Sequence, residues 1–548
     1  MTTLYNPVLN GFHPDPSVVR VGDEWFLATS SFEYLPGIPI HRSRDFENWE
    51  LIGHVGASPE TFGIADVPTA GGVWAPTIRH RDGVFHLVIT VAMGRGMLHF
   101  TAEDAAGPWS DGDLIVGIDG TESINGIDPD IAWDADGNVY VTYSGLILSG
   151  PEIGTHLGIL QVKVDLESHT ALEEPRSLWS GTGGQFPEAP HLYEVGGTWY
   201  LMIAEGGTER GHGISIARST SPEGPFETAP QNPLVSARST IRPVQNTGHG
   251  DLVMGPDDEW LCLMLGVRPR SMTRAFSALG RETFVSPVHW HENGWPSIDP
   301  VLLKPRAGTR VEVDFSPDEV LDGEWLAVRR AVTDVAELAA RPGWLTLHGD
   351  GATLDDPRPI FVGRRQEHLT NRVTVTVDAS AGTGGLAVRY DERFHVEVEA
   401  GAGSVTARAI IGGVRQEWSR PFDGGVLDLH IDSLEPEGAT GFLSTSDIFH
   451  LAATIDGERV ELCQVDGRFL SSETTESFTG RVIGLYAVSG DVSFQRWIAE
   501  GDDEWSLPGS TACGPSCATT PRSSPQRRRA SPGPSSPTSP GGCRPVRI

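Results

Sequence analysis

Five short repeats of this chain carry three acids, one tryptophan and one histidine at matching places. The residues are Asp15, Trp74, Asp128, Glu188 and His249, and each is the first residue of its repeat or the residue before it. Carboxyl groups that converge can perform general acid–base chemistry, in which one group removes a proton and another supplies one. A single acid before a proline, such as Asp15, is also typical of a turn. The shared position in all the repeats favours a catalytic site.

The repeats themselves predict how these residues are brought together. Each repeat starts as a strand-like segment and reaches an aromatic residue or valine after 10, 10, 11, 10 and 10 positions. These second anchors are Trp25, Phe85, Val139, Trp199 and Trp260, spaced 60, 54, 60 and 61 positions apart. Each repeat therefore predicts a β-hairpin. Hairpins with this period are typical of β-propeller blades, whose first strands begin near the central axis.

Composition restricts the partners and the compartment. The 548 residues include 73 acidic and 41 basic side chains, a net charge of −32 that repels nucleic acid and anionic membrane surfaces and more easily accommodates a neutral substrate. Of five cysteines only Cys262 and Cys463 lie before residue 509, so no disulfide framework is expected. No basic and apolar leader follows Met1, and no run of about 18 apolar residues occurs. We therefore expect a cytoplasmic enzyme, and a homo-oligomer remains open.

The length predicts two domains followed by a tail. Residues 1–304 contain the repeats and form the predicted propeller, and 305–310 read as a linker rich in Pro and Gly. Residues 311–500 alternate strand-like runs with Gly- and Asp-rich turns, which predicts an antiparallel β-sandwich of concanavalin or jelly-roll type. Within it, Val332 to Ala340 fits either a short helix or an irregular loop. The fold class is thus all-β.

Residues 509–548 have a composition unlike the rest of the chain. They contain no acidic residue, six Arg and eight Pro, with Ser and Gly filling much of the remainder. Such a segment cannot bury apolar surface, so we expect disorder. A basic binding arm is one interpretation. The abrupt change from an acidic body favours a functionless extension, such as out-of-frame translation of a GC-rich gene.

Several local motifs surround the aligned residues. They are Asn10-Gly-Phe-His-Pro-Asp15-Pro-Ser, Gly126-Ile-Asp128-Pro-Asp, Pro187-Glu188-Ala-Pro-His-Leu-Tyr193, Gly248-His249-Gly-Asp-Leu and Leu279-Gly-Arg281-Glu-Thr-Phe. Together they resemble glycoside hydrolase family 43. The segments Val362-Gly-Arg-Arg-Gln-Glu-His368 and Gly484-Leu-Tyr-Ala are similar to the C-terminal sandwich of the family's β-xylosidases. The resemblance implies a five-bladed propeller and hydrolysis of a terminal sugar with inversion.

The resemblance also implies a role for each acid. Inversion needs a carboxylate that activates water and a protonated acid about 6.5–9.5 Å away that protonates the leaving oxygen. By motif, Asp15 is the base and Glu188 the acid, whose pKa must exceed its ordinary value of about 4.3. Asp128 can raise that pKa by like-charge repulsion and orient Glu188. Asp130 departs from the family pattern and should share the face of Asp128 on a strand, so it adds a charge to the pocket or is paired.

Other residues are expected to bind the substrate or an ion. His249 matches a histidine that helps to hold Ca²⁺, largely through water, at the propeller axis, whereas a neutral histidine bonded to the acids is the alternative. Arg281, with Arg268 as a second candidate, has a fork of donors that suits sugar hydroxyls beside carboxylates. Phe32 and Trp74 are predicted walls for the C–H face of the sugar. No organic cofactor is expected.

The leading functional hypothesis is an exo-acting β-1,4-xylosidase that removes xylose from the non-reducing end of short xylo-oligosaccharides. An α-L-arabinofuranosidase, or an enzyme with both activities, is the nearest alternative because the two sugars present similar hydroxyl patterns. A catalytically inert sugar-binding propeller is disfavoured by the presence of all three acids, Asp15, Asp128 and Glu188. The sandwich alone resembles a carbohydrate-binding module, but we expect it to pack on the propeller and help to close the pocket.

Overall fold

The computed structural model of the chain describes residues 4–148, 150–270, 276–316, 320–436 and 446–503. These residues form an all-β structure, in which a five-bladed propeller precedes a concanavalin-like sandwich, as predicted. The tail that was predicted to be disordered, residues 509–548, lies outside the described residues. In the described ranges, no helix has the length and apolar character needed to cross a membrane.

Each blade is an antiparallel sheet whose first two strands are one of the sequence repeats. Blades 1 and 2 contain Ser17–Val21, Glu24–Ala28, Ile38–Ser43, Glu50–Val55 and Gly72–Arg81, Val84–Ala92, Gly96–Ala102, Asp113–Leu114. Blade 3 contains Ile127–Trp133, Val139–Leu146, His156–Asp165, Thr170–Ala171 and Arg176–Trp179. Blades 4 and 5 contain Glu188–Val195, Thr198–Glu205, Gly213–Ser219, Glu227–Thr228 and Gln245–Met254, Trp260–Val267, Glu282–Trp290, Pro296–Ile298. The five predicted hairpins are confirmed.

Local chemistry explains the tight hairpins and the closure of the ring. In blades 2 and 4 the two-residue turns are Asp82-Gly83 and Gly196-Gly197, and all four residues have positive φ. Turns of this kind match the right-handed twist of the flanking strands, which is why Asp-Gly and Gly-Gly are favoured there. The N-terminal segment lies along blade 5, where the Val8 N–H donates to the Thr283 carbonyl at 2.7 Å. This contact joins the start of the chain to the last blade.

The second domain is built on one large antiparallel sheet system. Its strands are Thr309–Val313, Leu326–Val328, Ala336–Arg341, Trp344–Asp350, Ile360–Arg365, Thr370–Asp391, Phe394–Gly401, Gly403–Ile411, Val414–Phe422, Val426–Leu434, Ile448–Ile455, Glu458–Asp466 and Val482–Asp502. Within the described ranges, the short helices are Pro59–Phe62, Val332–Val335 and Ser472–Thr475, with a 3₁₀ turn at Gly467–Phe469. The segment from Val332 to Ala340, for which the sequence fitted either a short helix or a loop, is therefore one helical turn followed directly by a strand.

The two domains share an apolar contact surface. The strand Tyr34–Leu35 leaves blade 1 and pairs with Leu326–Val328 of the sandwich. Phe12 packs there in a cluster with sandwich residues, and its carbonyl accepts a hydrogen bond of 2.9 Å from Nε of the buried Arg365. Phe12 lies three residues before Asp15. The sandwich thus supports the segment that carries one of the predicted catalytic residues.

One guanidinium joins all five blades at the centre of the propeller. Arg79 of blade 2 donates to Asp251 of blade 5 at 2.8 Å, to Asp130 of blade 3 at 2.8 Å and to Ser17 of blade 1 at 3.2 Å. Its Nη2 lies 3.0 Å from Nδ1 of His191 in blade 4. Both carboxylates are fully buried, so their charges must be paired inside the protein. We call these five side chains the axial hub.

Removing Arg79 should weaken the whole propeller. In an Arg79→Met variant the buried carboxylates of Asp130 and Asp251 lose their counter-charge, so we expect the free energy of unfolding to fall by about 3–5 kcal/mol. Urea unfolding followed by tryptophan fluorescence measures this change. Arg81→Met is the matched control, because that partly exposed arginine on the same strand pairs with exposed Asp82, an interaction worth about 0–1 kcal/mol, and otherwise lies over the Trp133 ring. Equal effects of the two substitutions would contradict the role of the hub.

Candidate active site

Bulges in the inner strands bring the predicted site residues to the axis. The pairing register shifts between Ile127 and Asp130 and between Glu188 and His191. Positive φ values of 56° at Asp15, 53° at Asp128 and 43° at His249 occur at equivalent points of their blades. A bulge redirects the side chain that it carries. In each case the first residue faces a pocket, while a residue a few positions later joins the axial hub.

The pocket at this end of the axis contains nearly all the predicted site residues. It has a volume of about 280 Å³. Its walls include the predicted residues Asp15, Phe32, Trp74, Asp128, Glu188, His249 and Arg281. The expected convergence of strand starts from all five blades is therefore present in the structure.

Asp15 is placed to remain a carboxylate. Its Oδ1 accepts a 3.0 Å hydrogen bond from Arg281 Nη1, and its Oδ2 accepts a 2.6 Å bond from the Ser30 hydroxyl. Burial alone would raise the pKa of Asp15, but the charge of Arg281 and the hydrogen bond from Ser30 outweigh this effect and hold the pKa below its usual value. Asp15 is thus ionised and carries the charge that a general base needs.

Glu188 and Asp128 experience the opposite electrostatic balance. Burial and then the neighbouring charges of Asp128 and Asp15 raise the pKa of Glu188 well above its usual value. Burial, followed by the charge of Asp15, raises the pKa of Asp128 to about 7. The Ala189 N–H donates to Asp128 Oδ2 at 3.0 Å, which fixes Asp128 beside the backbone of Glu188. This pair favours a proton on Glu188 at neutral pH.

Arg281 connects the base to an aromatic wall from both domains. Its Nη1 also lies 3.1 Å from Thr208 Oγ1, and its Nη2 donates to the Phe478 carbonyl at 3.2 Å. The guanidinium carbon lies 5.7 Å from the ring centre of Phe32 and 5.4 Å from that of Phe478. Phe478 belongs to the sandwich and was not found from the sequence, because no local signal distinguishes it from a core phenylalanine.

Trp74 completes this wall. Its indole Nε1 donates to the Ala70 carbonyl at 2.9 Å, and its ring meets Phe478 edge to face with ring centres 5.4 Å apart. Phe478 also stacks on Phe32 at 6.3 Å. The three rings give the pocket the apolar surface that the C–H face of a sugar requires. The predicted positions of Phe32 and Trp74 agree with this arrangement.

Two residues lie elsewhere than the sequence indicated. Arg268 is not in the pocket: it is 4% exposed and pairs with Glu282 at 2.7 Å and with Asp503, at the end of the sandwich, at 2.9 Å. It therefore holds the domain interface and does not contact a substrate in this pocket. Asp130 does not share the surroundings of Asp128, because the intervening bulge breaks the strand alternation. It is the paired alternative, bonded to Arg79 in the hub.

His249 is a neutral group at the axis. Its Nδ1 lies 3.5 Å from Asp15 Oδ1, and burial is the main cause that lowers its pKa to about 3. Calcium favours six to eight oxygen ligands. Among the described residues, no three His, Cys, Asp or Glu side chains converge as a metal site requires. These side chains alone do not form a calcium-binding site. The expectation of calcium stays a prediction.

The arrangement can support acid and base catalysis on one neutral ligand. An ionised carboxylate in blade 1 and a protonated acid in blade 4 line the same pocket. The base can accept a proton from water while the acid donates one to a departing oxygen. Arg281 and the aromatic wall can bind hydroxyl groups and C–H faces, respectively.

Comparisons with known proteins agree with this chemistry. The family described as "Glycosyl hydrolases family 43" matches residues 4–296, and "Beta xylosidase C-terminal Concanavalin A-like domain" matches residues 312–497. The chain is similar to a non-reducing-end α-L-arabinofuranosidase of Bacteroides ovatus, with 34% identity over 88% of this chain and 91% of the relative. A xylosidase/arabinosidase of Butyrivibrio fibrisolvens is 34% identical over 67% of this chain and 73% of the relative.

A solved structure supports the complete architecture. The xylan β-1,4-xylosidase of Bacillus halodurans superimposes with a TM-score of 0.79 at 27% identity, covering 91% of this chain and 100% of that chain. The likeness therefore includes both the propeller and the sandwich. With its five aligned blades, its three pocket acids and these matches, the chain belongs to glycoside hydrolase family 43.

Proposed function

We propose that the protein is an inverting exo-β-1,4-xylosidase that releases xylose from short xylo-oligosaccharides. The single observation that carries the mechanism is that Asp15 and Glu188 line one pocket from blades 1 and 4, with pKa values shifted in opposite directions. The relatives named as xylosidases support the choice of sugar. A cytoplasmic location is part of this proposal, since short oligosaccharides are small enough to be imported.

In the proposed reaction, the terminal xylose lies against the wall of Phe32, Trp74 and Phe478. Asp15 removes a proton from a water molecule, whose oxygen bonds to the anomeric carbon while the glycosidic bond breaks. Glu188 gives its proton to the departing oxygen. Arg281 binds sugar hydroxyls while it keeps Asp15 charged. Asp128 lies beside the backbone of Glu188, and its charge when ionised opposes loss of the proton from this acid before the reaction.

An α-L-arabinofuranosidase activity is the second candidate. The relative that carries this activity in its name matches 88% of the chain. The same acids serve both reactions, and the two sugars differ only in the shape that the pocket must accept. A non-catalytic sugar-binding role is disfavoured, because all three acids line the pocket with the protonation states that hydrolysis needs.

Paired nitrophenyl glycosides test the choice of sugar. We expect kcat/KM for 4-nitrophenyl β-xylopyranoside to exceed that for the α-L-arabinofuranoside, because the proposal places a pyranose ring on the aromatic wall. Both substrates share one leaving group, so any difference reports the sugar alone. A larger kcat/KM for the arabinofuranoside would replace the leading proposal by the second candidate.

Substitution of the two acids should give different losses. Asp15→Asn should reduce turnover by about 10²–10⁴-fold on both xylobiose and nitrophenyl xyloside, because water must be activated whatever group departs. Glu188→Gln should cause a comparable loss on xylobiose and a far smaller one on the nitrophenyl substrate, whose leaving group departs without a proton. Arg81→Met serves as the active control. Equal losses of Glu188→Gln on the two substrates would remove Glu188 from the role of acid.

The configuration of the first product tests the mechanism. Because Asp15 and Glu188 belong to blades 1 and 4, we expect a water molecule to fit between the base and the anomeric carbon, as single displacement requires. Proton NMR of early xylobiose hydrolysis should then show α-xylose from the non-reducing end before mutarotation occurs. Release of β-xylose first would instead indicate a nucleophile and an acid/base about 5–5.5 Å apart.

A further inference from the structure

One large aromatic side chain at the pocket is exposed to solvent. Phe186 lines the pocket two residues before Glu188, and 45% of its surface is accessible. Its φ of 49° is in the left-handed region, which is uncommon for a residue with a bulky side chain. Exposure of an aromatic ring and a disfavoured backbone both oppose stability. Residues kept in such conformations are concentrated at sites that bind ligands.

The segment that presents Phe186 is fixed by a buried acid. Glu205 is 5% exposed, and its carboxylate accepts hydrogen bonds from the Thr182 N–H at 2.7 Å, the Thr182 hydroxyl at 2.8 Å and the Gly184 N–H at 3.1 Å. The Gly206 N–H donates to the Gln185 carbonyl at 2.7 Å. Charge-assisted bonds of this kind are about twice as strong as neutral ones. The position of Phe186 is therefore set before any ligand arrives.

Packing around the Phe186 ring and its segment also fixes the position of this side chain. A Cβ atom at Gly181 would lie 2.3 Å from Glu205 Oε1, so a side chain there would displace the Glu205 carboxylate from the backbone that it holds. The ring of His156 meets Phe186 edge to face with centres 6.3 Å apart. His156 Nε2 also lies 2.9 Å from the Ser144 hydroxyl, which donates to the Pro187 carbonyl at 3.1 Å. Blades 3 and 4 thus hold both faces of the Phe186 to Glu188 segment.

We propose that Phe186 is a specificity-determining platform on which the C–H face of the leaving-group sugar stacks. The proposal rests on the proposed function, in which Glu188 protonates the departing oxygen. The sugar attached to that oxygen must lie on the side of the pocket that carries Glu188, and Phe186 is the exposed aromatic ring there. The wall of Phe32, Trp74 and Phe478 meets Arg281 and Asp15 instead, on the side of the terminal sugar.

The test separates the two sugar positions. Xylotriose and xylobiose occupy both positions, whereas free xylose, used as a competitive inhibitor, needs only the terminal-sugar position. We expect Phe186→Ala to lower kcat/KM for xylobiose roughly tenfold, the size of one aromatic stacking contact, while the inhibition constant of xylose stays unchanged. Phe186→Trp should restore xylobiose turnover, because it keeps an aromatic face. Leu172→Ala, which truncates another exposed apolar side chain, is the matched control and should leave both values unchanged.

The possible results distinguish failure of the Phe186 platform from failure of the proposed function. An unchanged kcat/KM for xylobiose in Phe186→Ala would overturn the platform. Equal weakening of xylobiose turnover and xylose inhibition would also overturn it, because the residue would then shape the whole pocket. Absence of pentoside turnover by the wild-type enzyme would instead reject the proposed function. Circular dichroism of Phe186→Ala and Phe186→Trp confirms that both variants fold.

Discussion

The buried positive charge of Arg79 is the constraint on which the geometry of the site depends. The four other blades contribute one partner each to its network, so no blade can rotate about the axis without breaking a hydrogen bond to a buried charged group. Asp251 is also held by Tyr193 at 2.6 Å and by the Val18 N–H at 3.0 Å. Because hub and pocket residues lie within a few positions of each other on the same inner strands, the relative positions of the pocket acids follow from the packing of the hub.

Burial raises the pKa of all three pocket acids, and the charge of one arginine, Arg281, is the main reason that the pKa of Asp15 is lowered instead. Arg281 donates to Asp15 and not to Glu188, so the pKa values of these two carboxyls move in opposite directions. The charge of Asp128, when it is ionised, raises the pKa of Glu188 further. Arg281 is itself held by the Phe478 carbonyl of the sandwich. The second domain therefore contributes to the protonation state of the base as well as to the wall of the pocket.

Sequence patterns predicted the parts of this structure that repeat. The spacing of anchors such as Trp25 and Phe85 indicated the hairpins, and the polar residue at the start of each one indicated the pocket. Contacts between the propeller and the sandwich were not predictable, because outside the repeats a single sequence carries no signal for which segments meet. Phe478 joins the pocket from 197 positions beyond Arg281, and Arg268 is drawn away from it by Asp503. The bulge before Asp130 was missed because i, i+2 alternation assumes a regular strand.

The position of the sandwich gives the pocket a wall that the propeller does not supply by itself. A propeller alone presents an open axial end, on which a long chain can lie across the acids. Here Phe478 lies against Phe32 and Trp74 and covers the side of the pocket next to Asp15, while Phe186 borders the side of Glu188. In the proposed exo-acting enzyme, this arrangement favours entry of a sugar chain by its end, with the terminal ring innermost. The sandwich anchors this cover through Tyr390, whose hydroxyl donates to the Thr479 carbonyl at 2.8 Å, directly after Phe478. If the proposed function holds, contacts between the domains select substrate length, and contacts within the propeller position the acids that cleave the bond.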